Sequence, residues 1–490
     1  MKNTLAYCAK EEIPIENGSM IVVNNPYVAG THLNDVTLVR PVFHTGKLVA
    51  FTANKAHHSD VGGKVPGSIT WDAATIFEEG FILNPTPLMR NGEFVNETVE
   101  FFRSNTRTPV ERIGDLKAQV AANLTGERRI IQLITRYGIS EFLEAQNELL
   151  KRTETILRSR LQSLRTGTYS SKDYLEHPKR DTIMLRARVV VTDTKINVDY
   201  SGTDKQQPFP VNAVFGVTLS GVHYVLRSLL GDDVPMNDGA FRIVEVFAPE
   251  GSLLNPTFPY PVAEGNLETS QRNVDLLYHC FLKAAPGKVP AAAGGCMNNI
   301  MMGGIRNGKP WAFYETIGTG LGGRDGIDGI DGIHANMTNT MNTPIEEIER
   351  ALPVIVARYE FRPNSSGAGR FRGGSGLQRS FLMLGESTTV TVLSDRASFA
   401  PWGLLGGKPG GKTEVIMRRG GKECKLPSKC SIELQRNDLV EIRTAGGGGY
   451  GLPKKRDRSR IRIDTENGIL TREYVKRFYS TRGPSRSSHD

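Results

Sequence analysis

The amino-acid sequence predicts a mixed α+β fold that is rich in β-strand and divided into several domains. Short apolar runs between glycine-rich loops, such as "SMIVVNN" and "KLVAFTANKA", fill residues 1–105, and similar runs return after residue 355. Between these parts lies a pattern of apolar residues three or four positions apart, which is typical of amphipathic helices. The chain of 490 residues is also longer than one ordinary domain.

These patterns divide the chain into consecutive regions. A β-rich region, 1–105, precedes a helical segment, 106–180, where "PVERIGDLKAQVAANLTGERRIIQLITRYG" has a proline near its start and a glycine at its stop. In the mixed α/β core, 181–355, "DTIMLRARVVVTDTKINVDYSG" predicts a hairpin, and "VTLSGVHYVLRSLLG" and "TSQRNVDLLYHCFLKAA" predict helices. A β-rich C-terminal domain, 356–455, and a basic helical tail, 456–490, complete the chain.

Composition and charge narrow the class of protein. The chain is 39% hydrophobic and 23% charged, as folded globular proteins are, and its net charge is +9. The basic stretch "PKKRDRSRIRID" is interrupted by acidic residues and has no repeated aromatic platform, which favours a solvated tail over a nucleic-acid surface. No apolar run reaches the ~18–20 residues of a membrane span. The cysteines are scattered, which is typical of a reducing compartment. We therefore expect a cytoplasmic protein without nucleic-acid or membrane partners.

The stretch "KAHHSDVGG" raises the question of a metal site. If the apolar run before it is a strand, alternation puts His58 and Asp60 on one face, and His57 points away unless the strand ends there. Upstream, "GTHLNDVTLV" offers His32 and Asp35 at the start of another strand. Imidazole and carboxylate groups together suit Zn, Mn or Fe(II). From the residues alone, an exposed or hydrogen-bonded histidine pair is the favoured interpretation, and the metal site is the alternative.

Other polar residues have both a catalytic and a structural interpretation. His334 in "GIHANMTNT" is either a general acid or a loop histidine bonded to the backbone. Glu268 in "GNLETSQR" is either catalytic or a charge that stabilises a helix N-terminus. Cys296 has no base beside it in the sequence, which favours a buried structural thiol.

Long stretches, in order along the chain, resemble the hydantoinase B/oxoprolinase family. They include "NNPYVAGTHLNDVTLVRPVF", "ANKAHHSDVGGKVPGS", "GNLETSQRNVD", "MTNTMNTPIEEIE" and "TAGGGGYG". This family contains the B-type subunit of ATP-dependent N-methylhydantoinase, the C-terminal half of 5-oxoprolinase, and the large subunits of acetone and acetophenone carboxylases. Its members usually begin with an N-terminal segment that this chain lacks, so we expect either a truncated reading of a longer protein or a naturally shortened member.

The resemblance implies a catalytic B-type subunit of an ATP-dependent hydrolase of cyclic amides such as N-methylhydantoin, hydantoin or 5-oxoproline. A partner A-type subunit would bind the ATP, which this chain would not, and would phosphorylate the substrate. A divalent metal, Mn, Zn or Fe, would activate water on this chain. The matching motifs imply Asp35, His58 and Asp60 as metal ligands. His57 would be a fourth ligand or an acid/base beside the ion.

The resemblance also frames the remaining site residues. Glu268 and His334 would join His57 as catalytic groups. Two glycine-rich stretches would bind the phosphorylated, anionic intermediate through their backbone N–H groups and through Arg324, Arg370 and Arg372. The alternative interpretation is that these stretches are turn-forming loops whose arginines are solvated. Two other functions stay open: an ATP-dependent carboxylase of the acetone or acetophenone type, and a non-catalytic assembly subunit. The compact chain favours the hydrolase.

Overall fold

The computed structural model describes residues 1–177, 182–231 and 233–480, and in these ranges the mixed α+β class is confirmed. The helices there are α1 (Lys2–Lys10), α2 (Asn96–Ser104), α3 (Pro109–Tyr137), α4 (Ile139–Leu161), α5 (Phe215–Leu230), α6 (Ser270–Phe281), α7 (Ile345–Ala351), α8 (Arg458–Glu466) and α9 (Arg472–Phe478). The strands there are β1 (Met20–Val23), β2 (Asp35–His44), β3 (Lys47–His57), β4 (Thr86–Arg90), β5 (Glu93–Phe94), β6 (Gly167–Leu175), β7 (Ile183–Val191), β8 (Ile196–Asp199), β9 (Val244–Phe247), β10 (Asn299–Arg306), β11 (Lys309–Thr316), β12 (Val354–Phe361), β13 (Leu377–Met383), β14 (Ser387–Leu393), β15 (Glu414–Arg419), β16 (Lys422–Leu426), β17 (Lys429–Gln435) and β18 (Leu439–Arg443).

The first sheet has the strand order β3-β2-β1-β4-β5, and neighbouring strands are antiparallel. Helices α2 and α3 cover one of its faces, because apolar side chains of the strands and helices form one buried cluster that includes Val36, Leu38, Phe102, Leu116 and Val120. β2 and β3 form a hairpin. Its turn residues Thr45 and Gly46 have φ angles of 47° and 78°, and two-residue type I′ turns need positive φ at both positions.

One irregularity sets the register of this hairpin. Val42 pairs with Ala50, whereas the next residue, Phe43, pairs with Leu48. Val49 is therefore the extra residue of a β-bulge. Without this extra residue, the pairing from Val42 back to Asp35 would shift by one residue of β3, so that Asp35 would pair with Ala56 instead of His57. Such a shift moves each β3 side chain in this part of the strand to the opposite face of the sheet.

The second sheet has the order β6-β7-β8-β9, in which β8 and β9 are parallel and the other pairs are antiparallel. The predicted hairpin is present as β7 and β8, and the two predicted helices are present as α5 and α6. Their apolar faces pack on the sheet in the largest buried cluster of the described residues. β6 begins at Gly167, so the segment predicted as helical up to residue 180 ends in a strand.

The third and fourth sheets form a β-sandwich. Their strand orders are β11-β10-β14-β17 and β12-β13-β18-β15-β16, all antiparallel. Apolar residues of both sheets meet in one buried cluster, as in other sandwiches, including Ile300, Val390, Phe381, Val440 and Ile442. This sandwich accounts for the predicted β-rich character of the C-terminal part.

Extended glycine-rich segments without helix or strand pack side by side between these layers, and we call them the glycine core. They are residues 291–296, 318–332, 365–376, 401–411 and 444–451. Backbone hydrogen bonds join one segment to the next: Gly447 N–H donates to Gly374 O at 2.9 Å, and Gly374 N–H donates to Leu321 O at 2.7 Å. A Cβ atom on Gly447 would lie 1.9 Å from Leu321 O. The close spacing of the segments therefore requires glycine, much as the crowded axis of collagen does.

Buried ion pairs tie α6 to the residues that follow β14. Arg272 pairs with Asp395 at 2.7 Å and Arg396 pairs with Asp275, all four side chains being almost completely buried. Removing one member of such a pair leaves an uncompensated charge in the interior, which is strongly destabilising. The pairs therefore fix the start of α6 against the sandwich.

None of the helices in the described part of the chain combines the length and apolar character needed to cross a bilayer. The predicted basic tail contains α8 and α9 up to residue 480, and its remainder, 481–490, lies outside the described residues. The domain boundaries of the sequence analysis stay predictions.

The close packing of the glycine core predicts that adding a methyl group to one of its glycines destabilises the protein. Gly447→Ala should lower the free energy of unfolding by about 1–3 kcal/mol or more, because the new methyl group meets a backbone oxygen that cannot move alone. Gly114→Ala is the matched control: Gly114 lies in α3 with nothing within 4 Å of its added Cβ. That change should stabilise the helix by about 0.5–1 kcal/mol. Equal thermal or denaturant midpoints for the two variants would contradict this account of the glycine core.

Candidate metal centre and cavity

A cavity of about 300 Å³ lies where the first sheet meets the third. Its walls come from the ends of β2, β3 and β11, from the loop 337–343, and from a π-helical turn, Gly265–Thr269, that precedes α6. π-helical turns are rare and are frequently found at functional sites.

Two histidines and an aspartate converge at the inner wall of this cavity. Asp35 and His57 are directly opposite each other in the β2–β3 ladder, so their side chains project from the same face of the sheet. His32 lies in the turn before β2 and approaches the same carboxylate. His32 Nε2 is 3.3 Å and His57 Nδ1 is 3.5 Å from Asp35 Oδ1. One potential ligand atom of each residue lies within 4.8 Å of the others.

The electrostatics of Asp35 and His57 favour the forms that bind metals. Burial alone would raise the pKa of Asp35, but the adjacent His32 and His57 outweigh burial and hold this pKa well below its ordinary value. Burial lowers the pKa of His57, which keeps its imidazole neutral. Metal ligands must be an ionised carboxylate and neutral imidazoles. The hydroxyl of Thr31 donates to the other oxygen of Asp35 and orients it.

The residues fit a divalent ion. The His32 side chain is 1% exposed, and neither ring nitrogen has a hydrogen-bond partner of good geometry among the described residues. Unpartnered buried nitrogens are costly unless something else binds them. Two imidazoles and one carboxylate with an open side form a donor set used for Fe(II), and the same ligand types suit Zn and Mn.

The structure does not bring together Asp35, His58 and Asp60, the three ligands that the resemblance implied. β3 runs to His57, so side chains do alternate, but Asp35 faces His57 and not His58. His58 points to the α3 side of the sheet, is completely buried, and has its Nε2 3.0 Å from Gln119 Oε1. His58 therefore serves the packing of α3 on the sheet, and His57 takes the place that was predicted for it.

Asp60 also lies away from the group. Its buried carboxylate accepts hydrogen bonds from the backbone N–H groups of Gly62, Gly67 and Arg107 at 3.0–3.1 Å, and its Oδ2 pairs with the Arg107 guanidinium at 3.0 Å. A carboxylate with so many donors organises the loop after β3.

Of the predicted catalytic residues, His57 lines the cavity and the other two lie behind its wall. Glu268 is fully buried, and burial raises its pKa to about 8. It reaches the cavity through Asn299, whose amide donates to Glu268 at 3.3 Å and whose oxygen accepts from the Tyr314 hydroxyl at 2.8 Å. His334 Nδ1 is 3.4 Å from the Thr316 hydroxyl, and burial lowers the His334 pKa.

The predicted arginines do not line the cavity. Arg372 is buried between Asp331 and Asp464, with which it forms ion pairs at 2.6 and 3.0 Å. Arg324 and Arg370 are exposed residues of the glycine core. Arg372 therefore holds segments of the glycine core together, and anion binding by the three arginines stays a prediction.

The sequence analysis missed Tyr314 and Glu315 of β11. The Tyr314 ring lies 4.7 Å from the His57 ring, centroid to centroid, and Glu315 lines the cavity beside it. Nothing in the stretch "WAFYETIG" distinguishes these two residues from those of any half-buried strand. Only the contact between sheets that are distant in sequence brings them to the cavity.

The spacing GxxxxGK[ST] of a phosphate-binding loop occurs at residues 406–413, "GGKPGGKT". Such a loop needs free backbone N–H groups ahead of a helix. Here strand β15 follows, and the backbone N–H groups already donate to carbonyl oxygens: Lys408 to Ala368, and Gly411 to Ser365. Most of this stretch belongs to the glycine core, and most of its backbone donors are already engaged there.

Comparisons with known sequences agree with this architecture. The profile of the Hydantoinase B/oxoprolinase family matches residues 1–453. An uncharacterized protein of Methanocaldococcus jannaschii is 43% identical over 98% of this chain and 84% of its own length. The B-type subunit of a putative D-/L-hydantoinase from Pseudomonas sp. is 30% identical over 93% of this chain and 79% of its own. The 5-oxoprolinase of Dictyostelium discoideum is 33% identical over 89% of this chain, which spans 34% of that longer protein.

Solved structures share the whole fold. The ATP-dependent caprolactamase of Pseudomonas jessenii superposes with a TM-score of 0.90 at 27% identity, covering 97% of this chain and 84% of that chain. An acetone carboxylase also superposes with a TM-score of 0.90, covering 97% of this chain and 71% of that chain, but at 17% identity this likeness concerns the fold alone. With a family match along almost its entire length, the chain belongs to the hydantoinase B/oxoprolinase family.

Proposed function

We propose that this chain is the catalytic B-type subunit of an ATP-dependent hydrolase that opens a cyclic amide ring. The observation that carries the proposal is the convergence of His32, Asp35 and His57 on one wall of an open cavity. Relatives named for hydantoinase, 5-oxoprolinase and caprolactamase activity support the substrate class.

His32, Asp35 and His57 are the residues that would hold a divalent ion. Such an ion supplies Lewis-acid chemistry, because it polarises carbonyl or phosphoryl oxygens and lowers the pKa of water. The chain itself supplies geometry: Thr31 orients the Asp35 carboxylate, and the Tyr314 ring fixes the plane of the His57 imidazole. Leu267, Met297 and Met337 give the cavity a partly apolar wall that limits the access of water.

ATP is assigned to an A-type partner subunit that phosphorylates the substrate. The amide carbonyl is a poor electrophile, and an ATP-derived phosphoryl group on its oxygen would make the ring carbon reactive. Two observations support this division of labour. The only stretch of the sequence with phosphate-loop spacing has most of its backbone donors engaged. The oxoprolinases also match this chain over only about a third of their length, which leaves room in those proteins for a further activity.

Cyclic-amide hydrolysis is preferred to ketone carboxylation. The likeness to acetone carboxylase rests on the fold, at 17% identity, whereas the hydantoinase and oxoprolinase relatives reach 30–33%. ATP-dependent release of a ring-opened product from hydantoin or a lactam, by this chain together with its A-type partner, is the direct test. Incorporation of labelled bicarbonate into a ketone, without ring opening, would overturn the proposal.

Metal content separates the proposed ligands from their neighbours. Asp35→Asn and His57→Gln should each lower metal affinity by at least the roughly 10–100-fold seen when groups around a metal are lost. His58→Gln and Asp60→Asn are the controls, because both residues lie outside the group that surrounds Asp35 Oδ1. The measurement is metal per folded protein, by elemental analysis and titration, with folding checked by circular dichroism.

The opposite pattern would refute this ligand set. If His58→Gln loses the ion while His57→Gln keeps it, the ion binds on the α3 side of the sheet. Equal loss in all four variants, with folding intact, would likewise refute a ligand set restricted to His32, Asp35 and His57.

ATP handling gives a second prediction for the proposed function. The isolated chain should not hydrolyse ATP, and Lys412→Ala in the complex with the A-type subunit should leave ATP turnover at the wild-type rate. Lys412 occupies the lysine position of the phosphate-loop spacing, but the surrounding N–H groups are bonded within the glycine core. A loss of ATP turnover in Lys412→Ala, with complex formation unchanged, would place nucleotide binding on this chain.

A further inference from the structure

The charges around the cavity are distributed unequally. Two carboxylates, Asp35 and Glu315, line it, and none of the described residues that line it is lysine or arginine. Two histidines, His32 and His57, adjoin Asp35, and the other lining residues are uncharged: asparagines and threonines, together with Leu267, Met297, Tyr314 and two further methionines. A ligand in this cavity therefore meets no lysine or arginine side chain of this chain's lining.

Two arginines on elements that border the cavity are engaged outside it. Arg379 is completely buried behind Glu315, with Nη2 2.8 Å from Glu315 Oε2, and it stacks 4.3 Å from the centre of the Tyr359 ring. Arg112 lies on the α3 side of the sheet, where it pairs with Asp115 at 2.8 Å and donates to the Ser59 hydroxyl. Both guanidinium groups neutralise partners of their own, so neither is free to bind a substituent of the substrate.

If the chain has the proposed function, this distribution of charges limits the charge of the substituents on the substrate ring. A divalent ion bound by the single carboxylate of Asp35 would keep a net charge of +1. The phosphorylated oxygen of the substrate would already neutralise that charge. A carboxylate elsewhere on the ring would be a second anion, and no lysine or arginine of the lining would pair with it. Burying a charge without a partner is unfavourable.

The neutral lining suits an uncharged ring. Asparagine and threonine side chains offer donors and acceptors to an amide group. Methionines supply a flexible apolar wall that adapts to ring methylenes of different number. We infer that the substrate of this chain is a small, uncharged cyclic amide, such as a simple lactam or hydantoin, in preference to a carboxylate-bearing ring such as 5-oxoproline.

Three lactams with the same five-membered ring test this inference: 2-pyrrolidinone, 5-oxoproline, and the carboxamide of 5-oxoproline. The carboxamide matches the size of the carboxylate but has no charge. With the full chain, its A-type partner, metal and ATP, kcat/KM for the carboxamide should exceed kcat/KM for 5-oxoproline by about tenfold or more. Pyrrolidinone should also be the better substrate.

A charge introduced at the cavity assigns the discrimination to this chain. Asn339 lines the cavity at an exposed position of the loop 337–343, where a longer side chain has room. Asn339→Lys should narrow the preference for the carboxamide over 5-oxoproline severalfold, whereas the size control Asn339→Gln should leave it unchanged. If the lysine acts through its charge on the substrate carboxylate, only Asn339→Lys changes the preference. If the substitution acts by disturbing the loop, both variants change it.

The outcomes distinguish this inference from the proposed function. If 5-oxoproline is hydrolysed as well as its carboxamide or better, the uncharged substrate class is wrong and cyclic-amide hydrolysis stands. If Asn339→Lys and Asn339→Gln change the preference equally, the cavity does not set it and the inference fails. If the complex hydrolyses none of the three, nor hydantoin, the proposed function fails and this inference falls with it.

Discussion

The register of the β2–β3 hairpin is the constraint on which the rest of the site depends. Because Val49 is accommodated as an extra residue, Asp35 faces His57 across the ladder, and both side chains point to the cavity. A hairpin without the bulge would pair Asp35 with Ala56 and turn His57 to the α3 side. One inserted residue, eight positions from His57 and fourteen from Asp35, therefore determines whether His57 lies on the same side of the sheet as Asp35 and His32.

The remaining architecture brings the other walls to this hairpin end. Buried ion pairs between α6 and the residues after β14 fix the π-helical turn that supplies Leu267, and the third sheet presents Tyr314 to His57. The glycine core lets five segments pass at backbone contact distance, which requires glycine where any Cβ would collide. Rigid elements that are far apart in sequence thus define a cavity that no single region of the chain contains.

Much of the fold could be predicted from the sequence, because apolar periodicity and turn residues act locally. The long helices α3 and α4, the β7–β8 hairpin, and the helices α5 and α6 are all visible in the spacing of apolar residues. The metal motif was also visible, but its ligands were assigned from alternation along one strand. Choosing between His57 and His58 required the partner strand's register, and a β-bulge leaves no reliable mark in sequence. Tyr314 and Glu315 depended on contacts between sheets, which local patterns cannot reveal.

The central claim is that His32, Asp35 and His57 hold a divalent ion on the cavity side of the first sheet. The most direct measurement is a crystal structure of the metal-loaded protein, with anomalous scattering recorded at the absorption edge of the bound metal. The account predicts one anomalous peak within about 2.0–2.3 Å of ligand atoms from these three residues. A peak between His58 and Asp60, or on the α3 side of the sheet, would contradict it.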